Sequence, residues 1–293
     1  MFGQVKKGIL FSIAAYACYS FAAFLVKRLI LPFPIVVFAR NFIGFLIFLP
    51  LFLRNKDQLK TKRLGFHCAR SCLSLATIYC STYGIQRLQL GDAILLEQTA
   101  PFFIPIILFL WNKEKISRLN CAAIFFAFIG ASYILQPHLD VWHLSAIASL
   151  GAGFLAALCI VCMQRLAMTE TVLATLFYFL FVSTLLSIGP AASVWSGALS
   201  IYQWTLLLCI GIFFALFQFL LTKALVFANA SVVGSYTYFT VVFSIVLGIV
   251  FLAEEMTFAR MMGSFLIIGA GLFIFFARKK NNSTSMNADE VNE

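Results

Sequence analysis

Ten long apolar runs, separated by short polar breaks, constrain the fold of this chain more than any other feature. A helix that crosses the hydrocarbon core of a bilayer needs about 20 mostly apolar residues, and runs of that length recur along nearly the whole sequence. Their approximate bounds are 8–26, 34–53, 70–88, 91–111, 119–136, 144–164, 171–194, 203–222, 231–252 and 258–277. We therefore predict an all-α integral membrane protein with ten transmembrane helices.

The composition excludes an ordinary soluble domain. Of the 293 residues, 62% are hydrophobic and only 11% are charged, whereas soluble domains average about 45–50% apolar and about 25% charged residues. The longest polar segments, 54–68 and 279–293, are too short to fold alone, and the second is predicted to be a disordered tail. The run at 8–26 lacks the small-residue cleavage pattern of a signal peptide. We expect it to be retained as the first helix.

The positions of the basic residues predict the orientation in the membrane. The net charge is +10, and the Lys and Arg residues lie mainly at the ends of the apolar runs. With ten spans, sixteen of them, including Arg70, fall on the side of the N-terminus and four on the other side. Such a bias marks the cytoplasmic side. We predict a multi-pass protein of the cell (inner) membrane with both termini cytoplasmic, and no nucleic-acid partner.

The sequence also contains a weak internal repeat. A shift of 140 residues lays 83–117 over 223–257, so that each copy holds a long apolar run followed by an acidic turn with Ser or Thr. Five spans in each copy is an odd number, so the second copy must enter the membrane in the opposite sense. We predict two inverted five-helix repeats, 1–137 and 138–278, followed by the polar cytoplasmic tail 279–293. Inverted repeats with a substrate site near the midplane are typical of secondary transporters.

Two ionisable residues, Arg40 and Glu97, lie inside apolar runs. A charge within a bilayer is costly and usually faces a cavity or a transport path. Both residues lie about 9 Å below the same membrane surface, at about 1.5 Å per helical residue. We expect Arg40 to bind an anionic group such as a carboxylate and Glu97 to accept a proton or a cationic group. The alternative is an Arg40–Glu97 ion pair that only locks two helices together.

Other polar and aromatic residues of the runs are candidates to line the same cavity, where aromatic rings would stack on a planar ligand. Packing between helices is the alternative for the aromatic residues. These further candidates are Gln98, Tyr83, Gln218, Tyr236 and Tyr238.

Several other residues have a simpler structural interpretation. Pro101 and Pro105 free backbone carbonyls in the fourth run and are expected to kink that helix. The small residues at 151–153 allow close approach of another helix. Asp92 is favourably placed near a helix N-terminus, and Glu254 is expected to cap or pair locally at its turn.

Several motifs resemble one transporter family. They are Arg70, the stretch Tyr83–Ala93 that ends in Leu90-Gly91-Asp92-Ala93, Thr99-Ala100-Pro101, Ala230-Ser231-Val232-Val233 and Glu254-Glu255-Met256-Thr257. Together they are similar to the drug/metabolite transporter superfamily, EamA branch, over residues 8–277. The resemblance implies two five-helix bundles related by a pseudo-two-fold axis that move a small organic solute by alternating access, without a cofactor.

The resemblance also bears on individual residues. Arg40 matches an Arg that is common in the family's second helix, and Arg70 with Asp92 matches the pattern of its S-adenosylmethionine-uptake members. An amino acid, S-adenosylmethionine or a similar metabolite is the implied cargo. Gln89 replaces the usual Pro, and Glu97 with Gln98 occupies positions where small, hydroxyl or aromatic residues are usual. The generic mechanism of the family therefore need not hold in full here.

Two other function classes are possible for a polytopic membrane protein. A membrane-embedded enzyme needs a nucleophile–base or metal constellation, but the HExxH and GxSxG patterns are absent and the three His residues do not cluster. Cys159 and Cys162 have CxxC spacing inside an apolar run without further ligands. We predict no metal, no cofactor and no enzymatic activity, and retain a membrane-embedded enzyme or a lipid-carrier flippase as the alternatives to a transporter. Uptake or export, the coupling by protons or by exchange, and a monomeric or homodimeric state stay open.

Overall fold

The computed structural model describes residues 2–112, 122, 125–126, 129–130, 144–228, 233, 236–258, 261–266 and 268–269. All regular structure within these residues is helical, as predicted. The helices are α1 (Phe2–Arg28), α2 (Phe33–Arg54), a 3-10 turn (Lys56–Leu59), α3 (Leu64–Arg87), α4 (Leu90–Glu97), α5 (Ala100–Asn112), α6 (Leu144–Ala167), α7 (Val172–Ser193), α8 (Ile201–Phe227) and α9 (Tyr238–Leu252).

Six stretches of the described residues are long and apolar enough to cross a membrane. They belong to α1, α2, the α4–α5 segment, α6, α7 and α8, and α9 is a shorter apolar helix. The chain is thus a multi-pass membrane protein by the length and composition of its helices. The predicted runs 119–136 and 258–277 and the tail 279–293 lie largely or wholly outside the described residues, so the count of ten stays a prediction.

Local sequence signals set several helix ends. Thr171 accepts a hydrogen bond from the backbone N–H of Ala174 at 3.0 Å and so caps α7. Ser200 and Gln203 form a reciprocal capping box at the start of α8, with bonds of 3.2 and 2.9 Å. These caps satisfy N–H groups that have no partner within the helix.

The fourth apolar run, predicted as one helix, is broken between α4 and α5 at Gln98 and Thr99. Pro101 explains the break, because it has no N–H to donate to the carbonyl of Glu97 and its ring crowds that carbonyl. The Thr99 hydroxyl bonds back to the Leu96 carbonyl at 2.7 Å and stabilises the turn. The break places Glu97 and Gln98 in the middle of a membrane-spanning stretch.

The most extensive contacts join early helices to late ones. α1 packs on α8, α3 packs on α6, and α2 packs on both α7 and α8. The broken segment α4–α5 lies against α6, and α9 lies against α1 and α4. Residues of these helices form one large hydrophobic cluster, and the break in α4–α5 is held inside the bundle.

At Gly153, α6 packs closely against the break between α4 and α5. A Cβ atom at residue 153 would lie 2.6 Å from Thr99 Oγ1 and 2.8 Å from the Glu97 carbonyl oxygen. We expect Gly153→Ala to lower the free energy of unfolding by about 1–3 kcal/mol, as overpacking does. Thermal melting of the purified protein in detergent measures the change.

Gly151→Ala is the matched control, because a Cβ atom there would meet nothing within 4 Å. That variant should melt at the wild-type temperature or slightly above it, since Ala is the better helix former. Equal melting of the Gly153 and Gly151 variants would contradict the close approach.

Candidate functional site

A cavity of about 100 Å³ lies inside the bundle. One water needs roughly 10–15 Å³ on this measure, so the cavity has room for several waters. Helices α1 to α6, α8 and the turn before α9 contribute to its wall. Its polar lining residues are Tyr16, Tyr19, Arg40, Arg70, Ser74, Thr77, Ser81, Glu97, Gln98, Cys159, Gln218 and Thr237.

Glu97 is held at the break between α4 and α5, with only 8% of its surface exposed. The Tyr19 hydroxyl lies 2.8 and 2.7 Å from its two carboxylate oxygens. Ser81 donates to Oε2 at 2.7 Å and lies 3.0 Å from the Tyr19 hydroxyl. The two hydroxyl donors, from α1 and α3, suit a carboxylate acceptor. Protonation of Glu97 would turn one acceptor oxygen into a donor and would require this network to rearrange.

Arg40 projects from α2 into the same cavity and is 4% exposed. Its Cζ atom lies 3.6 Å from the centre of the Phe214 ring, a cation–π contact. Nη1 donates to Thr82 Oγ1 at 3.4 Å, a long hydrogen bond, and Nε has no partner. The guanidinium therefore has N–H donors that the described residues do not use.

Arg40 and Glu97 share the cavity without forming an ion pair within 4.0 Å in the described part of the chain. A series of aromatic contacts connects their surroundings: Phe214, under Arg40, is 5.9 Å from Phe217, and Phe217 is 4.8 Å from Tyr19, which bonds Glu97. The alternative of a direct locking pair is not what the structure shows. Each group is positioned by its own neighbours.

Arg70 is a second buried guanidinium in the cavity wall, 1% exposed. Its Cζ atom lies 4.3 Å from the centre of the Phe179 ring. Nη2 contacts the Gln218 Oε1 atom at 3.4 Å and the Met163 sulfur at 3.3 Å, whereas Nε and Nη1 have no partner. Arg70 does not lie at a helix end, as the apolar run predicts, because α3 begins six residues earlier, at Leu64.

The structure brings together four of the seven predicted site residues. Arg40, Glu97, Gln98 and Gln218 all line the cavity. Gln98 accepts a hydrogen bond from the Thr237 hydroxyl through Oε1. The turn at the start of α9 thereby meets the break between α4 and α5.

The three predicted tyrosines do not line the cavity. Tyr83 lies near the end of α3, where its ring contacts Phe33 edge-on at 5.5 Å and lies 3.8 Å from the Arg87 guanidinium. Tyr238 is buried, with its ring centre 6.5 Å from that of Phe102. Tyr236 stacks on Phe239 at 6.1 Å. Their observed contacts are those of helix packing.

Two further sets of contacts join the helix ends. At one end, called the Lys27 end, Arg28 bonds the Phe251 carbonyl at 2.7 Å, and Lys27 bonds the Leu88 carbonyl. Both Glu254 oxygens there accept from the Leu90 N–H, at 2.8 and 2.9 Å. Glu254 thus caps α4, a helix distant in sequence. Arg260, the candidate for a local ion pair with Glu254, lies outside the described residues.

At the opposite end, called the Glu170 end, α7 and its preceding loop contact the loop between α2 and α3. Glu170 accepts from the Thr61 hydroxyl at 3.0 Å and lies 3.6 Å from His67 Nε2. Tyr178 donates to the Leu59 carbonyl at 3.1 Å. Hydrogen bonds therefore join the described helices at both ends of the bundle.

The cysteines of the CxxC pair lie on α6. Cys159 Sγ is 2.7 Å from Ser74 Oγ, and Cys162 is buried. Within the described residues no group of three or more His, Cys, Asp or Glu side chains is arranged to hold a metal ion.

Comparison with known proteins identifies the family. The pattern of the EamA-like transporter family matches residues 6–136 and again 143–276. The chain belongs to the EamA-like transporter family. This confirms the resemblance to the drug/metabolite transporter superfamily. A solved crystal structure superposes with a TM-score of 0.68 over 92% of this chain and 96% of the other, at 14% identity, and so supports the fold alone.

Curated relatives of this EamA-family chain carry different transport names. A pseudopaline exporter from Pseudomonas aeruginosa is 27% identical over 94% of this chain and 98% of its own length. An S-adenosylmethionine uptake transporter from Rickettsia bellii is 26% identical over 84% of each chain. A riboflavin transporter from Brucella anthropi is 27% identical over 93% of this chain and 99% of its own. The relatives agree on transport and differ in solute and direction.

Proposed function

We propose that this protein is a secondary transporter that moves a small organic metabolite across the cytoplasmic membrane by alternating access. The observation that carries the proposal is one cavity, inside a bundle of membrane-spanning helices, into which Arg40 and Glu97 project without pairing with each other. Charges buried in a membrane protein and left unpaired by the protein usually serve a transported solute or ion. Family membership and the relatives' names support the same function.

The two residues have complementary roles in this proposal. Arg40 binds an acidic group of the solute through its free donors. Glu97 binds an amino group or a proton, because its carboxylate already accepts from two hydroxyls and has capacity for another donor. Gln98 and Gln218 supply amide groups to the wall of the same cavity. The solute is thus an amino-acid-like metabolite, and movement is coupled to protons or to exchange.

The helix contacts support the proposed inverted repeat. Exchanging α1 with α6, α2 with α7 and α3 with α8 turns the α1–α8 contact into the α3–α6 contact, and these are the two most extensive. The same exchange converts α2–α8 into α3–α7, which is also present, and leaves α2–α7 unchanged. The family pattern also matches twice along the chain. Two like halves around a central cavity are what alternating access needs.

Transport of a labelled solute by reconstituted vesicles tests the function. Vesicles holding the purified protein and an unlabelled metabolite should accumulate the labelled form of that metabolite by counterflow. Chemical conversion of the solute would instead identify an enzyme, and movement of lipid-linked substrates alone would identify a flippase. Absence of counterflow for every solute that shifts the melting temperature would contradict the proposal.

Opening of the Lys27 end should become easier when Glu254 is removed. We expect Glu254→Ala to raise the labelling of Cys159 by an impermeant maleimide about tenfold from the Lys27 face, because it removes a hydrogen bond to a charged group. The test uses variants in which Cys159 is the remaining cysteine, and labelling is compared between the two membrane faces. Asp57→Ala, at an exposed carboxylate, is the control. Unchanged labelling would show that Glu254 does not hold this end closed.

A further inference from the structure

We propose that Arg70 forms a second anion-binding subsite of the cavity, and that the transported solute carries two acidic groups and one amino group. The inference rests on the proposed transport function and specifies its substrate class.

The surroundings of Arg70 leave its charge without a protein counterion. No carboxylate lies within 4.0 Å of it among the described residues. Its partners there are neutral groups: the Gln218 amide at a long distance, the sulfur atoms of Met163 and Cys159, and the Phe179 ring. Two of its three guanidinium nitrogens have no hydrogen bond. A buried cation in this state is expensive unless an anion arrives to pair with it.

The net charge of the cavity also favours a solute with a second acidic group. Arg40 and Arg70 are positive and Glu97 is negative, and these are the charged groups among the described lining residues. A solute with one carboxylate and one ammonium group would leave the occupied cavity with one uncompensated positive charge. A second acidic group makes the occupied cavity neutral. A solute with an additional cationic centre, such as S-adenosylmethionine, fits this charge distribution less well.

The positions of the two guanidinium groups constrain the spacing of the acids. Arg40 stacks on Phe214 and Arg70 on Phe179, and the two ring centres are 6.4 Å apart. The two arginines also lie toward opposite ends of the bundle. Each is in the second turn of its helix, and α2 begins at the Lys27 end whereas α3 begins at the Glu170 end. The two acidic groups must therefore lie at opposite ends of the solute, with the second one directed toward the Glu170 end.

Amino acids in acid and side-chain amide form provide a direct test. Aspartate, glutamate, 2-aminoadipate and 2-aminopimelate would be compared with their amides for stabilisation and counterflow of the full-length protein in nanodiscs and vesicles. We expect the acid form of the best-fitting length to bind about tenfold tighter than its amide, as a charge-assisted contact predicts. Equal or tighter binding of the amide would overturn the two-acid inference and leave transport intact. Binding of neither form would also overturn it, and counterflow of any other metabolite would still support the transport function.

Arg70→Gln isolates the role of this residue. The variant should lose the preference for the acid form and keep the amide affinity within about twofold, while Arg70→Lys should keep part of the preference. Arg87→Gln is the matched control, because Arg87 lies on the same helix, also over an aromatic ring, but is exposed outside the cavity. The ligand-free melting temperature of Arg70→Gln should equal or exceed that of the wild type, since an unpaired buried charge is removed. A lower melting temperature with an unchanged acid preference would assign Arg70 a structural role and overturn the proposal.

Discussion

Replacement of Glu97 by Gln is expected to reduce transport by about 10- to 100-fold while the protein still folds and inserts into the membrane. The amide keeps one oxygen that can accept from Tyr19 or Ser81, so the local packing is preserved. It cannot become charged or bind a proton at physiological pH, and a hydrogen bond to a charged group contributes about 1.5–3 kcal/mol. Initial rates of counterflow in vesicles with equal amounts of protein measure the loss.

The control for Glu97→Gln is Asp57→Asn, which removes the same charge from an exposed surface position. Its rate should equal that of the wild type. Tyr19→Phe, which removes one donor from Glu97, should give an intermediate rate. Full transport by a Glu97→Gln protein that melts at the wild-type temperature would remove Glu97 from the mechanism.

Much of the fold could be predicted from apolar runs alone. The second run was predicted at 34–53 and α2 spans Phe33–Arg54; the seventh was predicted at 171–194 and α7 spans Val172–Ser193. Length and hydropathy suffice here because the bilayer fixes both. The break in the fourth run was anticipated only as a kink. Its extent depends on the Thr99 side chain and the contact with Gly153, which lies elsewhere in the sequence.

Arg70 could not be recognised as a cavity residue from the apolar runs alone. A run that is delimited by its charged residues places every charge at a boundary, so Arg70 became the start of the third span. The structure begins α3 at Leu64, about one and a half turns earlier. A usable signal was present: Arg70, Ser74, Thr77 and Ser81 recur at spacings of four, three and four residues. Such a polar stripe marks one face of a helix, and all four residues line the cavity.

The three predicted tyrosines are the opposite case, because they are expected in the cavity wall and do not line it. Tyr83 is two residues from Ser81, which places it on a different face of α3 from the residues that line the cavity. The repeat aligned Tyr238 with Gln98, whereas Thr237 makes the contact. An alignment with few identities does not resolve a shift of one residue, and one residue turns a helical side chain by about 100°. Pairing across the bundle, as between Tyr19 and Glu97, has no local signature in the sequence.

Substitution of Arg40 should be as damaging as that of Glu97, and Lys should not restore function. Both Arg40→Gln and Arg40→Lys are expected to lower transport by about tenfold or more, because Lys lacks the planar donor fork and the stacking face of the guanidinium. Loss of a substrate contact should appear as a raised KM for an acidic solute, measured from the concentration dependence of counterflow. The amount of folded protein should change little, because among the described residues Arg40 makes one long hydrogen bond and one ring contact, with Phe214.

Arg87→Lys is the matched control for Arg40→Lys. Arg87 also lies over an aromatic ring, with its Cζ atom 3.8 Å from the centre of the Tyr83 ring, but it is exposed outside the cavity. Its replacement tests whether the loss of a stacked guanidinium alone affects transport. Arg87→Lys should transport at the wild-type rate. If Arg40→Lys does the same with an unchanged KM, any positive charge at that position is sufficient, and recognition of a planar acidic group by the guanidinium is contradicted.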